Sequence, residues 1–234
     1  MVKSLQMGKY RQMYGKFVVE GEKLIHELLL SSFTPSQMYA LSSWDKPENC
    51  PPVTLVSPAE LQRISGQKTP NQVLAVVPIP QQPIAITASE PVLLLDDIQD
   101  PGNMGTLIRT ADWFGIKHVV CSPHSVDFFH PKVVQSSMGA VFRVHPLVCD
   151  LPQWMASSGK NILAAVLDGV SIQDKALHIT ETDSLVIGSE SHGISDEVLS
   201  LCSKKITIPR LGHGDSLNAA VSAGILMSRI YLKK

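Results

Sequence analysis

Apolar residues over the first 80 positions fall into short blocks whose period changes along the chain. In GEKLIHELLL, residues 21–30, Leu24, Ile25, Leu28 and Leu29 recur at helical spacing on one face. The run QMYAL predicts a short strand. SPAELQRISG predicts a second helix, with Ser57 as N-cap, Pro58 in the first turn, Glu60 as capping-box partner and Gly66 as the stop. QVLAVVPIP then reads as a buried strand. Together these make a small α/β unit over residues 1–80, with its exit linker at 81–90 in the proline-bearing stretch PIPQQPIAITASEP.

The alternation restarts beyond the linker. Strands at 92–96, 117–121, 162–167, 184–187 and 205–208, with helices at 104–114 and 216–232, predict a mostly parallel α/β sheet over residues 91–234. The helix at 104–114 buries Met104, Leu107, Ile108, Ala111 and Phe114, with Asn103 as its expected cap and Gly115 as its end. Arg109 falls off that face, on the side shared by Asn103, Thr106 and Thr110.

A length of 234 residues accommodates one large core or a small and a medium domain. The formal net charge of −1 excludes a uniformly basic coat, so a polyanion would have to be met by a local patch. Lys3, Lys9, Arg11 and Lys16, interleaved with Tyr10, Tyr14 and Phe17, form such a patch, able to hold phosphates and stack bases; a solvated helix is the plainer reading of the same residues. Cys50, Cys121, Cys149 and Cys202 are scattered without a Cys-x-x-Cys pair, and no histidine falls at zinc-ligand spacing, so no metal is expected and a reducing compartment fits. No apolar run has the length of a signal-peptide core or approaches the roughly 20 residues of a membrane span. The expectation is a soluble, cytoplasmic protein.

Ligands of open α/β sheets bind outside the carboxyl ends of the strands, and three such ends carry unusual loops. DPGNMG offers only Gly102 and Gly105, which fits neither the dinucleotide fingerprint nor the Walker loop with its lysine. GSESHG places Glu190 between Gly188 and Gly193, glycines that allow a ligand to approach the backbone closely. In IPRLGHGDSLNAAVSAG, Asp215 or Ser216 is the expected cap of the last helix. That leaves Asn218 in the helix interior, where it is unfavourable. Gly224, which costs about 1 kcal/mol relative to alanine in a helix, suggests close packing against another backbone. Taken singly, Arg109 reads as a surface arginine, Glu190 as a turn residue and Ser216 as a cap.

In order, NMGTLIRTA, GSESHG and IPRLGHGDSLNAAVSAG resemble the three motifs of the SpoU (TrmH-type) RNA 2′-O-ribose methyltransferases of the SPOUT superfamily. DFFHPKVVQSSMGAVFRV, residues 127–144, resembles the segment between the first two motifs, and KYRQMYGKFVVEGEKLIHELL resembles the small substrate-binding domain that often precedes them. The resemblance implies a trefoil-knotted C-terminal domain with helices on both faces of its sheet and S-adenosylmethionine bound in the knot. It also implies a homodimer formed through that domain, and methyl transfer to a ribose 2′-hydroxyl of ribosomal or transfer RNA. It places Asn103, Arg109, Glu190, Ser216 and Asn218 in the catalytic site and Leu167, Gly188, Ile208, Pro209 and Leu217 against the cofactor. A guanidinium stays protonated at neutral pH, so Arg109 is expected to act as a fixed cation rather than as a base. Three positions depart from the family pattern: Arg210 where methionine is usual, Ala219 where valine is commoner, and Gln135 where a basic residue is frequent. A knotted enzyme that methylates a base, and a silent RNA-binding protein of the same fold, are the alternatives.

Overall fold

The computed structural model describes residues 1–81 and 85–232, so residues 82–84 of the expected linker lie outside the described residues. The chain folds into two units, one formed by Met1–Gln82 with Asp127–Arg143, the other by Pro83–Val126 with Val144–Lys234. The segment that resembles the family's stretch between motifs is therefore grouped largely with the N-terminal residues.

In the first unit, α1 (Gly8–Tyr14), β1 (Lys16–Glu20), α2 (Glu22–Leu29), β2 (Gln37–Ala40), β3 (Thr54–Leu55), α3 (Pro58–Ile64) and β4 (Val73–Pro78) build a four-stranded sheet of order β1-β4-β2-β3. The capping box at Ser57 and Glu60 is formed, and α3 ends at Ile64, with Ser65 already extended. Leu5, Val18, Leu61, Leu74 and Val76 make one core cluster, and the buried face of α2 is the predicted Leu24, Ile25 and Leu28. A short helix, α5 (Pro131–Ser136), packs on β1.

The expected basic and aromatic patch is reduced here. Arg11 is only 2% exposed. It donates to the Leu5 and Gln6 carbonyls at 2.8 and 3.0 Å and pairs with Asp127 through Nε at 2.7 Å. An interior guanidinium needs such partners, because its desolvation is otherwise uncompensated. Phe17 is also buried, its ring 4.6 Å from that of Phe129. Lys3, Lys9 and Tyr14 are what stays exposed, with the Lys9 ammonium 4.8 Å from the Tyr10 ring centroid.

The second unit contains β5 (Val92–Asp96), α4 (Pro101–Trp113), β6 (His118–Cys121), β7 (His145–Val148), α6 (Leu151–Ser158), β8 (Ile162–Ser171), β9 (Ser184–Gly188), α7 (Asp196–Ser200), β10 (Lys204–Thr207) and α8 (Ala219–Tyr231). Its six strands run parallel in the order β10-β8-β9-β5-β6-β7. A parallel sheet needs cover on both faces. Val92, Leu94, Val120, Ala164 and Val186 pack with Leu151 and Met155 of α6 and Val198 of α7. From the edge strand β10 the chain returns as α8, which contacts β8 and β9 and lies on α4. Ahead of β5, Lys160 donates to the Thr87 and Glu90 carbonyls at 2.8 and 2.6 Å, and His118 Nε2 lies 3.3 Å from the Glu90 carboxylate.

β8 runs beyond its expected end at 167. Ala164 pairs with Lys205, but the next partner of β10, Ile206, faces Val170. Residues 165–169 are thus surplus to the ladder and bulge from it, leaving Leu167 76% exposed. A side chain at Gly169 would bring its Cβ to 2.6 Å from the Ile206 nitrogen, so glycine is required where the bulge rejoins the strand.

No helix among the described residues is long and apolar enough to cross a membrane, and no group of three or more His, Cys, Asp or Glu residues among them is placed to hold a metal ion.

Candidate active site

The carboxyl ends of β9 and β10, the bulge of β8 and the first turns of α8 surround a cavity of about 820 Å³. Leu167, Gly188, Glu190, Ile208, Pro209, Ser216 and Leu217 all line it. The volume is in the range of about 300–1,000 Å³ usual for small-molecule sites, and Leu167 and the 49% exposed Leu217 present apolar surface that a planar base would cover. Together with the Glu190 carboxylate this suits a cationic nucleoside such as S-adenosylmethionine.

Helix capping sets the polar side of the site, and not as the sequence pattern predicts. Asp100, not Asn103, caps α4: its carboxylate accepts from the Asn103 N–H at 2.8 Å, with Pro101 in the first turn. Asn218, not Asp215 or Ser216, caps α8, its Oδ1 accepting from the Ala220 and Val221 N–H groups at 3.0 and 3.3 Å. Both corrections have one cause, since each loop offers several good side-chain acceptors, Asp100 and Asn103 in one and Asp215, Ser216 and Asn218 in the other, and only the backbone path decides between them. The consequence is directional. With its oxygen engaged by the helix, Asn218 turns Nδ2 towards Asn103 Oδ1 at 3.0 Å. Asn103 in turn donates its own Nδ2 to the Glu190 carboxylate. Backbone amides, two side-chain amides and one carboxylate thus form a single hydrogen-bonded series across the three motifs.

The glycines of GSESHG have a reason within the chain. Ser189 and Gly193 exchange both backbone hydrogen bonds, at 2.9 and 3.0 Å, and a Cβ on Gly188 would fall 2.1 Å from the Gly193 carbonyl carbon. The turn closes on itself and presents Glu190 at its tip. It is anchored by two residues that sequence reasoning missed: buried Asp96, at the end of β5, accepts from both the N–H and the hydroxyl of Ser195 at 2.8 Å. An acid closing the apolar run VLLLD was the available signal. Arg210, one of the departures, lines the cavity and donates to the Gly214 carbonyl at 3.1 Å, folding its loop.

Arg109 stands apart. It is exposed on α4, outside the cavity lining, and its guanidinium makes no hydrogen bond or ion pair with another described residue. Gly224 differs from expectation too: a Cβ there would meet only Thr110 Cγ2, at an ordinary 3.8 Å, so packing on α4 leaves room for alanine.

Residues 90–228 match the SpoU rRNA Methylase family, and residues 1–75 match the MRM3-like substrate binding domain. The chain belongs to the SpoU family. Its SpoU relatives include the 23S rRNA (guanosine(2553)-2′-O)-methyltransferase RlmP of Bacillus subtilis, 30% identical over 96% of this chain and 92% of that one. A solved TrmH-family protein from Porphyromonas gingivalis is 38% identical with a TM-score of 0.86, covering 97% of this chain and 94% of that one. The AdoMet-bound rRNA methyltransferase of Sinorhizobium meliloti shares the fold at 24% identity, with a TM-score of 0.84 over 98% of this chain and 92% of that one.

Proposed function

We propose that this SpoU protein methylates a ribose 2′-hydroxyl of ribosomal or transfer RNA, using S-adenosylmethionine, as a cytoplasmic homodimer. The observation that carries the reading is the series Asn218–Asn103–Glu190, which joins the three motifs and ends on Glu190 in the lining of a cavity suited to the cofactor. When bound, S-adenosylmethionine supplies a methyl group already activated on a sulfonium.

The chain's residues then have to hold the cofactor and prepare the hydroxyl. Leu167, Gly188, Ile208, Pro209 and Leu217 form the cofactor walls, with the Ser216 hydroxyl beside them. Asn103, itself aligned by Asn218, orients the Glu190 carboxylate, whose remaining lone pairs accept the departing ribose proton or relay it to water. Arg109, six residues and so about 9 Å further along α4 than Asn103, provides a fixed positive charge for the attacking oxygen and an adjoining phosphate, an effect often worth a few kcal/mol. Residues 1–80, with the segment 127–143 that folds with them, supply RNA affinity, and the rest of residues 91–234 the transfer.

The homodimer is supported by Val221 and Ile225, exposed one turn apart on α8, and by Trp113, 82% exposed on α4. A monomeric mass in sedimentation at micromolar concentration would remove it. For the reaction, the protein is incubated with labelled S-adenosylmethionine and bulk unmodified RNA, and the RNA is digested to nucleosides. Label is expected in 2′-O-methylnucleosides; label in methylated bases, or none, refutes the proposal.

A further inference from the structure

The first unit holds a cavity of about 310 Å³ whose lining includes Gln6, Glu20, Gln67, His130, Lys132 and Gln135. Resting on the RNA-methylation reading, we propose that it receives one unstacked nucleobase of the RNA and prefers bases with an exocyclic amino group over uracil.

The selectivity begins with Glu20. This carboxylate, on a residue only 8% exposed, accepts from the Ser65 hydroxyl, from the Gly66 N–H at 2.9 Å and from Gln6 Nε2 at 3.3 Å. A carboxylate has about four acceptor positions, so three bonds leave one unfilled. A buried acceptor with spare capacity matches the amino hydrogens of cytosine or adenine and opposes the carbonyl oxygens of uracil.

Other residues of the lining have the opposite character. Gln67 donates to Gln135 Oε1 over a long 3.3 Å, while its own oxygen is taken by Asn71 at 2.8 Å. The Gln135 amide therefore keeps Nε2 as a donor, the group that complements the ring nitrogen next to an amino group. His130 caps α5 with Nδ1 accepting from the Lys132 N–H at 3.1 Å, which leaves the hydrogen on Nε2. Burial, reinforced by the nearby Arg11 cation, pushes its pKa below the usual histidine range. The neutral ring offers a flat stacking surface, and exposed Lys132 places a positive charge among the cavity walls, where the anionic RNA backbone would pass.

The test uses the full chain and fluorescein-labelled hexaribonucleotides of cytidine, adenosine and uridine, with binding followed by anisotropy. The cytidine and adenosine oligomers should bind about tenfold more tightly than the uridine oligomer, within the discrimination of a good base-edge contact. Gln135→Ala, at an exposed position whose loss leaves the fold intact by circular dichroism, should weaken the two favoured oligomers at least fivefold and leave the uridine oligomer unchanged. Glu20→Gln should narrow the preference. Equal binding of all three oligomers by the wild type, or a preference that survives both substitutions, overturns the pocket. Its failure is separable from that of the enzymatic reading: ribose labelling without base preference rejects only the pocket, and base preference without ribose labelling rejects only the methyl transfer.

Discussion

Asn218 has two roles that one pair of substitutions separates. Its Oδ1 caps α8 through Ala220 and Val221, and its Nδ2 orients Asn103. Asn218→Ala removes both. Loss of a cap costs about 1 kcal/mol, equivalent to a melting decrease of about 2–4 °C for a chain of this size. Asn218→Asp keeps an acceptor for the same N–H groups and adds a negative charge at a helix N-terminus, worth about 0.3–1 kcal/mol in its favour, so its melting temperature should match or exceed that of the wild type. Aspartate cannot donate to Asn103, however. A neutral hydrogen bond contributes about 0.5–1.5 kcal/mol net, which at 1.36 kcal/mol per tenfold gives a loss in kcat of about 2- to 13-fold. The assay is initial-rate methyl transfer at saturating S-adenosylmethionine and RNA, beside thermal melts. If Asn218→Asp melts like the wild type and also turns over like it, the hydrogen-bonded series does not organise the reacting groups and the reasoning fails.

Four further outcomes are expected. Arg109→Ala should keep the fold and cofactor binding while losing most methyl transfer, with little rescue by Arg109→Lys because lysine lacks the planar fork; calorimetry showing an equal loss of cofactor affinity would reassign the residue. Leu217→Asp should abolish cofactor binding yet melt normally, since the side chain is half exposed. Asp127→Ala removes the counter-charge of buried Arg11, which keeps its two carbonyl acceptors, and should destabilise the protein by about 1.5–3 kcal/mol, measured by denaturant unfolding. The Glu90 carboxyl is held down at about 2, first by the Thr87 N–H and hydroxyl and then by His118, against 4.5 unperturbed. A depressed carboxyl stabilises fully above its unfolded value and loses that contribution as pH falls towards the folded one, so wild type and Glu90→Gln should differ in melting temperature at pH 7 and converge between about pH 4.5 and 2.

What could be read from the chain followed its periodicity. The strand at 92–96, the capping box at Ser57 and the apolar face of α4 through Met104, Leu107, Ile108 and Ala111 needed only local spacing and are present, whereas Phe114 falls at the cap of α4 and is only half-buried. Choices among equivalent local acceptors were not legible: Asp100 against Asn103, and Ser216 against Asn218, depend on where the loop backbone turns. Contacts across long stretches of chain were less legible still. Nothing near Arg11 in sequence announces Asp127, so a buried ion pair read as surface charge. The bulge in β8 was hidden for a related reason, because a strand's register is a property of its partner, and LAAVLDGV gives no hint beyond Gly169 that β10 will omit several of its residues.

The placement of Asp127–Arg143 within the first unit has a consequence for synthesis. Arg11 and Asp127 lie 116 residues apart, which at a translation rate of about 5–20 residues per second separates their emergence from the ribosome by about 6 to 23 s. Through that interval the nascent N-terminal strands have no carboxylate for Arg11 and no Phe129 ring for Phe17, while β5 and α4 of the second unit are already being made. The first unit therefore cannot finish folding in the order in which it is synthesised. Chains released before residue 143 should be substrates for chaperones or proteases, and the first unit should become protease-resistant only once residue 143 has emerged, ahead of the second unit, which still lacks most of its strands.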